Sequence, residues 1–170
     1  MLFIILSIFF ISSKNTSFAI ELSQNSILSK DISVKILGLT KGTEKVAFLT
    51  LDDGPNVSVT PKVLDILKDE EVKASFFVIG KNVDSHPEIV KRAYDEGHFI
   101  ANHGYDHNNS TLYKNSDSFI NEIKQTDLAI GNAIGVSNYC SHVFRFPNGF
   151  MSPNNKSKKK EAVKLLESMN

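Results

Sequence analysis

After Lys45 the sequence alternates short apolar runs with longer segments whose apolar residues recur at helical spacing. Strands that are apolar at consecutive positions are typical of parallel sheets, because helices cover both faces of such sheets. We therefore predict an α/β fold built on a parallel sheet. No repeated sequence motif underlies this alternation, so a solenoid is not expected.

Helix signals occupy the segments between the apolar runs. Thr60-Pro61 offers an N-cap and a first-turn proline, and Ser85 with Glu88 matches a capping box. A last helix is predicted from about Lys156, with Met169 facing inward. The four apolar runs predicted as strands are 46–51, 74–79, 99–101 and 142–145.

The N-terminal segment differs in composition from the rest of the chain. Residues 2–11 are almost wholly apolar, and a short polar stretch leads to Ser17-Phe18-Ala19, which suits signal peptidase. Residues 1–19 are therefore predicted to be a signal peptide, with an uncleaved membrane anchor or a buried strand as alternatives. Residues 20–44 are predicted to be an N-terminal extension that contains a short edge strand at 32–36, and 45–170 to be one domain.

Composition limits the classes of partner. The chain has 19 basic and 19 acidic residues, so it lacks the positive charge of a nucleic-acid-binding protein and no stable protein partner is implied. The lysines of 156–160 are predicted to be solvated, with contact to an anionic wall polymer as the alternative. The single cysteine, Cys140, excludes a disulfide framework; it is expected in the core, with a reactive thiol as the alternative.

Three polar clusters follow predicted strands, at 52–55, 103–107 and 145–149. Each has an ordinary interpretation when taken alone, as a turn or as two unrelated histidines. The carboxyl ends of parallel strands meet at one edge of a sheet, however, so the three clusters are expected to converge. A carboxylate and two imidazoles gathered there would form a hydrolytic metal site with open positions for water and substrate.

These clusters resemble the polysaccharide deacetylases of carbohydrate esterase family 4, also called the NodB-homology domain. The resemblance covers about residues 45–170 and is carried by 50–55, 74–80, 102–107 and 145–149. It implies a distorted (β/α) barrel and metal-dependent removal of acetyl groups from a carbohydrate. It also implies Asp53, His103 and His107 as ligands of zinc or a similar divalent ion, with Asp52 as the general base.

The segment 145–149 adds two further roles, and the chain departs from the family at two positions. Arg145 matches the arginine that holds the base, and the backbone N–H of Asn148 stands where the family has its oxyanion donor. The family usually has tyrosine at the position of Asn148, and Ser or Thr at the position of Gly104. Its later motifs, one of which supplies a general acid, fall beyond Asn170, so the barrel is expected to be incomplete at its C-terminal side.

The resemblance implies a hydrolase that acts on an N-acetylated glycan. Peptidoglycan N-acetylglucosamine is the expected substrate, and chitin-like or xylan substrates are the alternatives. The alternative is an inactive remnant, or a module that binds metal and glycan without catalysis. The protein is expected to be secreted, or held at the cell envelope by residues 1–19.

Overall fold

The computed structural model describes residues 47–169. Their central feature is a parallel sheet in the order β1-β2-β3, with β1 at Thr50–Gly54, β2 at Ser75–Val78 and β3 at Phe99–Asn102. Parallel neighbours need a crossover, and helices supply each one here. The prediction of an α/β fold with a parallel sheet is confirmed.

Helices pack against this sheet and against one another. The longest of those described, α5, contacts α2, α3 and β3. The helices are α1 (Thr60–Asp69), α2 (Gly80–Ser85), α3 (Pro87–Asp95), α4 (Asn109–Leu112), α5 (Ser116–Ile134) and α6 (Lys156–Met169).

The core lies on both faces of the central strand. Phe76, Phe77 and Val78 are all buried although they are consecutive, as expected of a strand with helices on either side. A second apolar cluster lies where α4, α5 and α6 meet. Its buried members are Leu112, Tyr113, Phe119, Ile123 and Ala162.

The first strand begins later than the apolar run predicts. The run at 46–51 indicated a strand that the two aspartates close, but β1 is Thr50–Gly54 and includes both aspartates. Thr50 pairs with Ser75, the first residue of β2, so the partner strand sets where the ladder begins. The prediction of strand from residue 47 to residue 49 is wrong.

The predicted fourth strand is reduced to a single parallel bridge between Asn102 and Phe144. The N–H of Asn102 donates to the Val143 carbonyl at 3.2 Å, and the N–H of Arg145 donates to the Asn102 carbonyl at 3.0 Å. Pro147, two residues after Arg145, has no N–H to donate at the next position of the ladder, so the ladder does not extend. This short bridge still fixes the 142–145 segment beside β3.

Two predicted N-cap residues, Thr60 and Ser85, are wrong, whereas the predicted first-turn proline, Pro61, is confirmed. α1 begins at Thr60 itself, after Val59, and the Thr60 hydroxyl accepts a hydrogen bond from the Asn56 N–H at 2.8 Å. Ser85 ends α2, and its hydroxyl donates to the Lys81 carbonyl at 2.9 Å. Pro87 provides the first turn of α3, so the capping-box spacing from Ser85 does not set that helix start.

The predicted burial of three side chains, on α6 and in the segment before it, is wrong. Lys159, predicted to be solvated, is buried, and its Nζ donates to the Gly149 carbonyl at 2.7 Å. Met169, predicted to face inward, is exposed. Cys140, expected in the core, is exposed as well.

Several predictions fall on residues that the structure does not describe. The signal peptide or anchor at 1–19, the extension at 20–44 and the edge strand at 32–36 all lie outside residues 47–169. Within 47–169, the helices are too short or too polar to cross a bilayer. The domain limits at 45 and 170 stay predictions.

We predict that His98 makes folding sensitive to mild acid. Its imidazole is buried against Phe76, and its Nδ1 accepts a hydrogen bond from the Ala74 N–H at 3.2 Å. Burial, and then the nearby charge of Lys73, lower the pKa of His98, while Glu96 raises it. His98 therefore binds a proton at a higher pH in the unfolded chain than in the folded chain. The free energy of unfolding should fall as the pH drops below about 6.5.

Urea unfolding between about pH 7.5 and about pH 5.5 measures this loss. The matched variant is His98→Asn, which keeps an acceptor near the position of Nδ1 but does not titrate in this range. The parent should lose more unfolding free energy than the variant, because all other titrating groups are shared. Equal losses in both proteins would contradict the prediction.

Candidate metal centre

A bulge in β1 aims two adjacent aspartates at one site. Asp52 pairs with Phe77 and Gly54 pairs with Val78, so Asp53 is an extra residue in the ladder. Its backbone is left-handed, with φ of 68°, and the Asn82 amide donates to its carbonyl at 3.0 Å. Neighbouring side chains of a regular strand point to opposite faces, and a bulge is a common means of redirecting one of them.

Three potential ligand atoms meet beside this bulge. An oxygen of Asp53 (Oδ1) lies 3.3 Å from His103 Nε2 and 3.3 Å from His107 Nε2. Atoms suited to ligating one metal ion, one from each residue, all lie within 4.8 Å of one another. His103 is buried, whereas half of the Asp53 side chain (53%) is exposed. The cluster is therefore shielded from solvent at His103 and open to solvent at Asp53.

The tautomer of His103 follows from its second ring nitrogen. His103 Nδ1 lies 2.7 Å from the Arg145 carbonyl oxygen, which can only accept a hydrogen bond. Nδ1 therefore carries a proton and donates, which leaves the lone pair of neutral His103 on Nε2, facing Asp53. A backbone carbonyl that orients an imidazole in this way is typical of histidines that bind metals.

The Asp53 carboxyl is poised to be an anion. When the imidazoles are protonated, a hydrogen bond from His103 and the charges of His107 and His103 hold the pKa of Asp53 below its ordinary value against the opposing effect of burial. One carboxylate and two imidazoles form a ligand set that suits zinc and other divalent transition metals. These residues fit such an ion, and the open side leaves room for water and substrate.

Arg145 links the metal ligands to the second aspartate. Its Nη1 donates to Asp52 Oδ1 at 2.5 Å and to Thr50 Oγ1 at 3.0 Å. The guanidinium also lies over the ring of Phe77, 3.7 Å from the ring centroid. Because the Arg145 carbonyl holds His103, one residue orients both the candidate base and a candidate ligand.

Asn148 lies in an exposed turn. Its backbone is left-handed, with φ of 60°, and the turn is closed by a hydrogen bond from the Gly149 N–H to the Phe146 carbonyl at 2.9 Å. Pro147 packs close to Gly104, which lies between the two histidines in sequence. The role of Asn148 as an oxyanion donor stays a prediction.

The sequence interpretation missed two polar residues that support the site. Asn102 is fully buried at the end of β3, and Glu122 is buried on α5. A signal for Glu122 was present, because it occurs between Phe119 and Ile123 on the apolar stripe of that helix. A charged residue at an inward position of an amphipathic helix calls for a polar partner.

Comparison with known proteins identifies the family. Residues 40–165 match the polysaccharide deacetylase family. A peptidoglycan-N-acetylglucosamine deacetylase of Bacillus cereus is 46% identical over 93 residues, which are 55% of this chain and 33% of that protein. A peptidoglycan-N-acetylglucosamine deacetylase of Listeria monocytogenes is 43% identical over 104 residues, 61% of this chain and 22% of that protein.

Solved structures agree with the sequence matches. A polysaccharide deacetylase from Bacillus cereus has a TM-score of 0.59 and 40% identity, with 71% of this chain and 56% of that chain covered. A Streptococcus mutans esterase of carbohydrate esterase family 4 has a TM-score of 0.60 and 33% identity, with 69% and 51% covered. The chain spans a third or less of those two curated relatives and about half of these solved chains. The described fold is thus part of the barrel-like deacetylase fold, and the chain belongs to the polysaccharide deacetylase family.

Proposed function

We propose that this chain is part of a metal-dependent deacetylase that hydrolyses the N-acetyl groups of peptidoglycan N-acetylglucosamine. The observation that carries the proposal is the convergence of Asp53, His103 and His107, with Asp52 held beside them by Arg145. The names of the Bacillus cereus and Listeria relatives support the substrate.

The proposed metal ligands are Asp53, His103 and His107, and zinc is the ion that we propose. A divalent ion bound there supplies Lewis acidity, which polarises an acetyl carbonyl and makes water a stronger acid. The open side of the cluster, at the half-exposed Asp53, gives a glycan access to these residues.

Asp52 is the proposed general base. Arg145 binds Asp52 Oδ1, so Oδ2 is the atom that we assign to the proton of the attacking water. The backbone N–H of Asn148 is the proposed partner for the negative charge that develops on the acetyl oxygen. The water oxygen bonds to the acetyl carbon, and the carbon–nitrogen bond then breaks. The departing nitrogen takes a proton from solvent while Asp52 returns to solvent the proton it accepted, so acetate and a free amine result.

The proposed substrate also implies a location. Peptidoglycan lies outside the cytoplasmic membrane, so the enzyme must be exported. The apolar segment at 2–11 with Ser17-Phe18-Ala19 after it supports export by a signal peptide, or retention at the envelope by the same segment.

We predict that His103→Ala lowers the affinity for zinc at least tenfold, since one of three protein ligands is lost. Zinc content after dialysis against a defined free-zinc buffer, and competition with a chromophoric chelator, measure the change. Circular dichroism checks that the variant is folded.

His86→Ala is the matched control, because His86 lies between α2 and α3 and belongs to no metal-ligand cluster among residues 47–169. It should bind zinc as the parent does. Equal zinc affinity in the parent and in His103→Ala would remove His103 from the ligand set.

We predict that Asp52→Asn lowers acetate release about 10²–10⁴-fold while zinc stays bound, because the general base is lost and the three ligands are kept. The substrate is an oligomer of N-acetylglucosamine, and released acetate is measured with zinc added and with zinc removed by a chelator. Loss of release on chelation and its return with zinc are expected in the parent.

Asp69→Asn provides the control for this experiment, since Asp69 is an exposed carboxylate at the end of α1. It should release acetate at the parent rate. Glycan binding by the parent without acetate release at any zinc concentration would contradict the enzymatic proposal and favour a metal- and glycan-binding module.

A further inference from the structure

We infer that Glu122 of α5 is a positioning residue that fixes the turn between the two histidine ligands. The turn comprises Gly104, Tyr105 and Asp106, and the ligands His103 and His107 flank it. The inference rests on the proposed metal centre and assigns to it a residue that contacts neither the ion nor the substrate.

Side-chain oxygens capture the backbone N–H groups of the turn. Glu122 Oε2 accepts from the Tyr105 N–H at 2.7 Å and from the Asp106 N–H at 3.3 Å. Asn102 Oδ1 accepts from the Gly104 N–H at 2.9 Å. Three consecutive N–H groups are therefore bound by two side chains.

The carbonyl groups of the same turn accept hydrogen bonds from α2. The N–H groups of Gly80 and Lys81 donate to the carbonyls of Gly104 and Tyr105 at 3.0 and 2.8 Å. A Cβ at Gly80 would lie 2.5 Å from the Tyr105 ring, so only glycine permits this approach without a shift. The turn is thus hydrogen-bonded to both α2 and α5.

Glu122 supports a turn whose first residue, Gly104, has no side chain to brace it. Gly104 has φ of +84°, and a Cβ built there would lie 3.7 Å from Glu122 Oε2. The carboxylate thus approaches the turn at the residue that has no side chain. A bond from a long helix fixes such a loop better than one from a neighbouring loop residue, because the helix is itself rigid.

His107 shows why this support matters. Its backbone is left-handed, with φ of 58°, a conformation that persists in a non-glycine residue only where the surroundings hold it. The two residues that precede His107 in its loop, Tyr105 and Asp106, are the ones that Glu122 binds. Loss of Glu122 should therefore let His107 move away from Asp53 and His103.

The experiment compares variants of the full chain by their metal binding. Glu122→Ala removes the acceptor, Glu122→Gln keeps an oxygen at the same reach, and Glu122→Asp keeps the charge but shortens the side chain. Gln125→Ala, at an exposed position of the same helix, is the matched control. The readouts are zinc affinity by chelator competition and the visible absorption spectrum of the cobalt(II)-substituted protein.

We expect Glu122→Ala to weaken zinc binding about tenfold or more, as the loss of residues that support metal ligands commonly does, and to alter the cobalt spectrum. Glu122→Gln should keep the parent affinity and spectrum, and Glu122→Asp should lie near the alanine variant. A general loss of stability would not produce this order, and urea unfolding of the metal-free proteins measures stability separately.

Parent-like affinity and spectrum in a folded Glu122→Ala protein would overturn the inference. If that variant does not fold, the other two decide: equal zinc affinities for Glu122→Gln and Glu122→Asp would overturn it, and weaker binding by Glu122→Asp alone would support it. Failure of the parent to bind zinc would instead overturn the proposed function, and this inference with it.

Discussion

The hydrogen bond between His103 Nδ1 and the Arg145 carbonyl connects the two parts of the site. On one side it sets the tautomer of His103, so that Nε2 faces Asp53 and His107. The acceptor of this bond, Arg145, also donates from its guanidinium to Asp52. The single bridge between Asn102 and Phe144 makes this bond possible, because it places the 142–145 segment beside β3.

The site concentrates unfavourable backbone conformations and buried polar groups. Asp53 and His107 are left-handed although neither is glycine, and each such residue costs about 1–3 kcal/mol. Asn102 and Glu122 lose their solvation on burial, which is costly unless hydrogen bonds replace it. Both side chains accept hydrogen bonds from backbone N–H groups of the turn at 104–106, and these bonds offset that loss.

Local signals were sufficient to predict the parallel sheet and the convergence of Asp53 with the two histidines. Apolar runs identify buried strands, and parallel strands necessarily end at one edge. The bulge at Asp53 was not predictable, because it depends on register with β2. The burial of Lys159 likewise depends on the Gly149 carbonyl, ten residues earlier, and Pro87 overrides the capping box predicted at Ser85.

The distribution of rigidity around the site suits the proposed hydrolysis of a polymer. The turn at 104–106 is hydrogen-bonded to α2 and to α5, which restrains the backbone between the two histidines. Asp53 is half exposed, which would leave a bound ion accessible from the solvent side. A preorganised set of ligands behind an open face would allow the proposed glycan substrate to bind and leave without disturbing a bound metal ion, because only the exposed side would have to adapt to it.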